Sequence, residues 1–374
     1  MKNLSGNEPL TPPAGTRRHP GLLALAALLT TVWTAPAEDG QGEHYRQLNL
    51  VSDVAGAAIL QDTNLVNAWG ISFSATSPFW ISDNGTGLAT LYAVTNDALG
   101  SLHVVKQGLQ VSIPGEGNPT GQLFNNTPAF HGDIFIFASE DGTISGWRSA
   151  LGTTAEVLAA RSGAVYKGIA LTMTAQGPVL LAANFSEGTI DAYGTNLTLL
   201  GQFADPLAPP GYAPFNVQSA AGTIFVTFAK QDDAKEDDVP GLGHGLIDMF
   251  NPETGTFLRF ATGTDAGGHL PEFNSPWGVA LAPESFGKHG DQLLVGNFGS
   301  GTIMSFDADG EFRGLLKGFQ EGPLTIEGLW GLSFGNGGRG GVRGTLYFTA
   351  GPDDESHGLF GSLEPVRKAD RHDD

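Results

Sequence analysis

AWGISF at residues 68–73, PWGVALAP at 276–283 and LWGLSFG at 329–335 are three copies of one pattern, Trp-Gly leading into a short apolar run. A second run follows each copy: FWISDNGTG at 79–87, QLLVGNFGSG at 292–301 and GTLYFTAGP at 344–352. A third comes next: LATLYAVT at 88–95, TIMSFDADG at 302–310 and HGLFGSLEP at 357–365. Runs this short, rich in β-branched and aromatic residues and bounded by Gly, Asn and Asp, are strands punctuated by turns. Weaker copies fill the gaps, in IFIFASEDGTISGWRS at 134–149, YKGIALTMT to TIDAYGTN across 166–196, and FNVQSAAG to GLIDMFNPE across 215–253. Aligning the first strands brings Gly70, Gly121, Gly168, Val217, Gly278 and Gly331 to one position, at steps of 47 to 61 residues. Six units of about 50 residues with four strands each specify an all-β, six-bladed β-propeller. The sixth unit holds three strands. YRQLNLVSD at 45–53 is therefore expected to supply its outer strand and close the ring. A β-solenoid would have shorter repeats and no use for that strand.

Composition limits what such a ring can do. The chain has 39 acids against 19 bases, a net charge of −20, and no cysteine. Disulfides, thiolate nucleophiles and Cys-bound metals are excluded. Nucleic acid and anionic membranes are disfavoured partners, because phosphates need a basic footprint. An acidic surface suits solubility, cations, or neutral and basic ligands.

Residues 1–37 read as a secretory signal peptide. Arg17 and Arg18 precede an apolar run from Gly21 to Trp33, and Ala35-Pro36-Ala37 gives a small-residue cleavage pattern. A membrane anchor would need roughly 20 apolar residues. Thr-Arg-Arg hints at twin-arginine export, though its flanks fit that motif poorly. The propeller is expected over 45–365, followed by a frayed polar tail at 366–374, in a secreted or periplasmic protein.

NAWGISF…PFWISDNGTG, FASEDGTISGW, NSPWGVALAP…LLVGNFGSGTI and LYFTAGPDDESHGLFG together resemble an uncharacterised family of exported bacterial propeller proteins, across about residues 45–365. Some members end in a PEP-type sorting tag, which this chain lacks. More distantly, the blades are similar to NHL-type repeats and to gluconolactonase-like and streptogramin-lyase-like propellers. The first resemblance implies the fold and no activity. The second implies activities at the level of fold alone.

QDDAKEDDVPGLGHG at 231–245 joins the second and third strands of the fourth unit, where most other units have a short turn. AGPDDESHG at 350–358 is its counterpart in the sixth. Such loops stand on the face where each blade's inner strand begins, at the mouth of the central channel. The ligand face expected from them comprises Asp232, Asp233, Asp237, Asp238, Asp353, Asp354 and Glu355, with Lys167 and His269. His244 and His357 are candidate proton-transfer residues, since imidazole titrates near neutral pH. They equally suit structural hydrogen bonds. Asn67, Asn216, Asn274 and Glu327 are candidate ligands for Ca²⁺ or another divalent ion, being hard oxygens at strand entries. They equally suit caps on buried strand ends. In gluconolactonase-like propellers a comparable Asn/Asp/Glu set holds a divalent ion, so the match here is positional. Lys167 is placed to pair with Glu327 or to meet an anionic group. Trp69, Trp277 and Trp330 are read as packing residues. Gly-x-Ser-x-Gly and His-Glu-x-x-His are absent, and NGGRGG at 336–341 lacks the Lys-Ser/Thr of a phosphate loop.

Two functions follow. One is a binding module whose face takes a small molecule, polysaccharide or protein. The other is a metal-assisted hydrolase or lyase, lactonase-like, at the channel mouth. Convergence discriminates them, since an enzyme needs a His and a closed pocket together.

Overall fold

The computed structural model describes residues 44–261, 272–320 and 322–366. They form the six expected antiparallel blades. Blade one comprises Ala68–Ser72, Phe79–Asp83, Leu88–Asn96 and Leu102–Ser112; blade two, Pro119–Phe124, Phe135–Ser139, Thr143–Trp147 and Glu156–Ala160. Blade three comprises Tyr166–Thr174, Gly177–Asn184, Thr189–Tyr193 and Leu199–Phe203; blade four, Tyr212–Ala220, Thr223–Lys230, Gly245–Asn251 and Thr256–Ala261. Blade five comprises Pro276–Leu281, Leu293–Asn297, Ile303–Phe306 and Phe312–Leu315. Blade six has Leu329–Phe334, Leu346–Ala350 and Leu359–Val366, completed by His44–Ser52. In blades one to five the strands pair in chain order, inside to outside. Each inner strand starts at the entry face, which carries the loops between second and third strands, and ends at the exit face.

The aligned glycines explain why the inner strands close into a ring. A Cβ on Gly70 would sit 2.4 Å from the Thr120 carbonyl oxygen, one on Gly121 2.8 Å from Gly168 Cα, and one on Gly278 2.5 Å from the Trp330 carbonyl oxygen. Neighbouring inner strands therefore approach backbone to backbone, which only a residue without a side chain permits. Blade four departs from the rule with Val217. There the Asn216 amide fills the gap, donating to the Trp277 carbonyl oxygen at 2.8 Å and accepting from the Val217 N–H at 2.8 Å. Outside this ring, apolar faces of adjacent blades pack together. Leu50, Phe79, Ile81, Tyr92, Tyr347 and Phe360 form such a layer between blades six and one. Each such side chain, fully buried, contributes about 1.5–3 kcal/mol.

The strand His44–Ser52 pairs antiparallel with Leu359–Val366, as the incomplete sixth unit requires. Asp53 locks the end of this seam. Its carboxylate accepts from His357 Nδ1 at 2.7 Å and from the Gly358 N–H at 2.8 Å. Residues 1–43, 262–271, 321 and 367–374 lie outside the described set, and with them the expected signal peptide, the polar tail beyond Val366, and His269.

Candidate functional site

Lys167, the second residue of blade three's inner strand, is 1 % exposed. Its ammonium donates to Glu140, from the second-to-third loop of blade two, and to Asp237 Oδ1 at 3.0 Å. It also lies 5.2 Å from the centre of the Trp69 ring, within cation–π range. Burial alone would pull the lysine pKa down, but the two carboxylates outweigh it and the net shift is upward. Lys167 is thus a fixed cation at neutral pH. It is neither a general base nor a free amine nucleophile.

The blade-four loop delivers Asp237 to this cation, and the blade-six loop brings Glu355 to the same mouth. In the blade-four loop, Asp232 Oδ1 accepts from the Glu236 N–H at 3.0 Å, and the Asp232 N–H donates to the Asp237 carbonyl oxygen at 2.8 Å. That internal staple turns Asp237 toward Lys167. Asp233 and Glu236 stay exposed. Asp238 is pushed up to about 6, chiefly by burial, and its Oδ2 is buried with no partner among the described residues.

In the blade-six loop, Asp353, Asp354 and Glu355 have φ of 57°, 50° and 64°. Three successive non-glycine residues in the left-handed region cost about 1–2 kcal/mol each. The turn is pinned where the Asp353 N–H donates to Glu327 Oε1 at 3.1 Å. Its result is to aim Glu355 at the mouth, where the carboxylate accepts from Asn67 Nδ2 at 2.5 Å. Burial pushes the Glu355 carboxyl up to about 7, against the opposing pull of Asn67 and Lys167.

Beneath these groups the channel is plugged by aromatic rings. Trp69 stacks on Trp330 at 3.8 Å, Phe298 stacks on Trp330 at 4.0 Å, and Trp277 meets both tryptophans edge-on. Above the plug lies a cleft of about 400 Å³ lined by Glu116, Glu140, Asp141, Glu236, Asp237 and Glu355. A neighbouring cavity of about 290 Å³, bordered by Phe298, Thr325 and Glu327, shares Glu355 as its wall. Six carboxylates line the larger cleft, and two of them, Glu140 and Asp237, are paired with the buried Lys167.

The remaining expected residues are placed differently. His357 points to Asp53 at the ring seam, and that contact raises its pKa. His244 Nδ1 lies 2.7 Å from the Val239 carbonyl oxygen of its own loop. Neither histidine reaches the cleft lining. The Asn set does not assemble. Asn67 Oδ1 accepts from the Trp330 indole at 3.0 Å, and Asn274 Oδ1 accepts from the Gly241 N–H at 2.6 Å. Asn216 lies below the plug, and Glu327 stands exposed at the rim. These oxygens are already engaged as strand-end and turn acceptors, so the set does not fit a bound metal. Lys167 pairs with Glu140 and Asp237 rather than with Glu327. Among the described residues one group of three potential metal ligands, His131, Asp133 and Glu156, lies at the rim of blade two. Arg148 sits within it at 2.7 Å from Asp133 and 2.5 Å from Glu156, supplying the positive charge itself. Glu140 and Glu116 are site residues that the sequence reading missed. Glu140 sits in SEDGT, a stretch that reads simply as a turn.

No protein-family model matches the chain. It is 29 % identical over 341 residues to an uncharacterised protein of Acanthamoeba polyphaga mimivirus, covering 84 % of this chain and 78 % of that protein. A second uncharacterised protein of the same virus is 27 % identical over 331 residues, covering 81 % of each chain. Among solved structures, a streptogramin B lyase aligns at 12 % identity with a TM-score of 0.46, over 86 % of this chain and 98 % of that one. The WD40 β-propeller domain of Doa1 aligns at 12 % identity with a TM-score of 0.45, over 85 % of this chain and 96 % of that one. These likenesses concern the propeller fold and assign no residue a role.

Proposed function

We propose that the protein is a binding module whose entry-face cleft takes a small cationic ligand, an amine or a guanidinium. One observation carries the reading: a strained left-handed turn spends stability to hold Glu355, half-desolvated, in a cleft lined by six carboxylates, of which Glu140 and Asp237 are paired with the buried Lys167. Strain of this kind persists where placement matters more than stability. A cationic ligand would relieve the repulsion among those carboxylates. It would also draw protons off Glu355, whose burial favours the neutral form. The two loops converge on the cleft with carboxylates and leave both histidines outside it, which favours binding over turnover.

Calorimetric titration with spermidine at low salt tests the proposal. Binding is expected to weaken several-fold in Glu355→Gln and in Asp237→Asn, and to weaken with added salt, as exposed charge pairs do. Failure of spermidine to bind the intact cleft at low salt refutes it. Ca²⁺ is the parallel probe, and a response to Ca²⁺ with none to spermidine would redirect the assignment to a hard cation. We also propose that the protein is exported after cleavage near Ala37. Mass measurement of the protein recovered outside the cytoplasm tests that. No helix among the described residues is long and apolar enough to cross a membrane.

A further inference from the structure

Three rings of the plug form a column. Trp69 and Trp330 stack at 3.8 Å with their planes 19° apart, and Phe298 and Trp330 stack at 4.0 Å with their planes 18° apart. Two rings cannot cover the same face of a third at such distances, so Trp330 is the middle ring. One end of the column is occupied: Lys167 Nζ lies 5.2 Å from the centre of the Trp69 ring. The other end meets a cavity. Trp69 and Trp330 are buried, whereas Phe298 is half-buried and borders the cavity of about 290 Å³ beside the acidic cleft. Gly299, Gly301, Gly328 and Gly351 border it too, so much of its wall is backbone rather than side chain. A stack of rings that ends at such a cavity is a platform for one more ring.

A carboxylate is fixed beside this platform. Asn67, 4 % exposed, accepts from the Trp330 indole at 3.0 Å and donates to Glu355 at 2.5 Å. Its amide therefore ties the middle ring of the column to the carboxylate. Glu355 lines both this cavity and the acidic cleft. Two cavities of unlike character thus meet at one carboxylate, with an aromatic ring among glycines on one side and acids on the other. A metal ion or a flexible polyamine would leave the ring bare.

We propose that the ligand of this mouth is an arylalkylammonium, whose cation sits on Glu355 and whose planar aromatic body stacks on Phe298. The inference rests on the cationic reading above and narrows it. Such a ligand fills both cavities at once, and neither half alone accounts for their adjacency.

Calorimetry on the intact propeller at low salt tests it with four probes: tryptamine, n-butylamine, tryptophol and spermidine. Tryptamine should bind at least about tenfold more tightly than n-butylamine, which has the same charge and no ring. It should exceed tryptophol, which has the ring and no charge, by at least as much. The margin over n-butylamine should fall to about twofold or less in Phe298→Ala, and likewise in Thr325→Trp, which fills the cavity from its rim. Thr325 is exposed, so its variant keeps the test decisive if Phe298→Ala fails to fold. If spermidine binds and tryptamine does not exceed n-butylamine, the aromatic half is overturned while the cationic reading stands. If no amine binds, both are overturned. A margin that survives Thr325→Trp also overturns the inference, because the ring then sits elsewhere.

Discussion

Glu355→Gln should stabilise the protein, and only at the upper end of the pH range. In the folded ring the Glu355 carboxyl titrates at about 7 because burial penalises its charged form, against an ordinary value of 4.5. Between those two values the folded state holds a proton that the unfolded state has released. Stability therefore falls as pH rises from 4.5 to about 7 and levels off above it. At about 1.4 kcal/mol per unit, the ceiling of that loss is about 3 kcal/mol. The carboxyl keeps some contact with water, and screening should leave about 1–2 kcal/mol. Gln keeps the carbonyl that accepts from Asn67 and carries no charge at any pH, so the variant escapes the loss. For a domain of this size the gain corresponds to about 1.5–3 °C in melting midpoint. Wild type and variant are compared by thermal melting from about pH 4 to 8.5. Asp238 and Asp248, pushed up to about 6 and about 7 by burial, are common to both proteins, so the difference between the curves reports Glu355 alone. The difference should be near zero at pH 4 and positive at pH 8. A difference independent of pH, or negative at pH 8, would refute the placement of Glu355 in a desolvated cleft. The same variant should bind spermidine more weakly, gaining stability while losing function.

Lys167→Met removes the buried cation and leaves Glu140 facing Asp237. It should cost about 1–3 kcal/mol by denaturant unfolding, less than a sealed ion pair because Asp237 can turn back to water, and should tighten spermidine binding by calorimetry. Gly121→Ala would drive a Cβ to 2.8 Å from Gly168 Cα and 2.9 Å from the Ile169 nitrogen, an overpacking worth about 1–3 kcal/mol. Gly108→Ala, with nothing within 4 Å, is the control and should show no comparable loss of urea midpoint. Asp53→Asn weakens the clasp on His357, whose pKa the Asp53 contact raises. That stabilisation is present below the ordinary imidazole range and is lost as pH rises through the raised value. The variant's melting point should therefore drop more near pH 5.5 than near pH 9.

The fold was legible because its sequence markers are also its mechanical necessities. Trp-Gly recurs because each inner strand needs a residue with no side chain where it touches the next, and the exception at Val217 still keeps register. The closing strand at 45–53 was legible by subtraction, since the sixth unit lacks a strand. Loop placement was legible too, because alternation of faces follows from strand count alone. Which side chain of a loop faces inward was not. Nothing in PDDES announces three left-handed residues, and those three decide that Glu355 rather than His357 reaches the mouth. The partners of Lys167 come from loops 27 and 70 residues away in sequence, a juxtaposition that no local pattern records. Asn67 and Asn274 look like ion ligands in a string of letters. In the ring their amides are consumed by an indole N–H and a backbone N–H.

The seam between His44–Ser52 and Leu359–Val366 makes the first described strand wait for the last. During synthesis, five blades can form while the opening strand has no neighbour to pair with. Its apolar residues Leu50 and Val51, buried in the finished ring, would then be exposed on an unpaired edge, a template for intermolecular association. Closing a loop of more than 300 residues adds little entropy beyond that of a shorter loop, so delay rather than energy is the hazard. Assembly of the ring is thus an all-or-none final event, and the His357–Asp53 clasp sits where that event is completed.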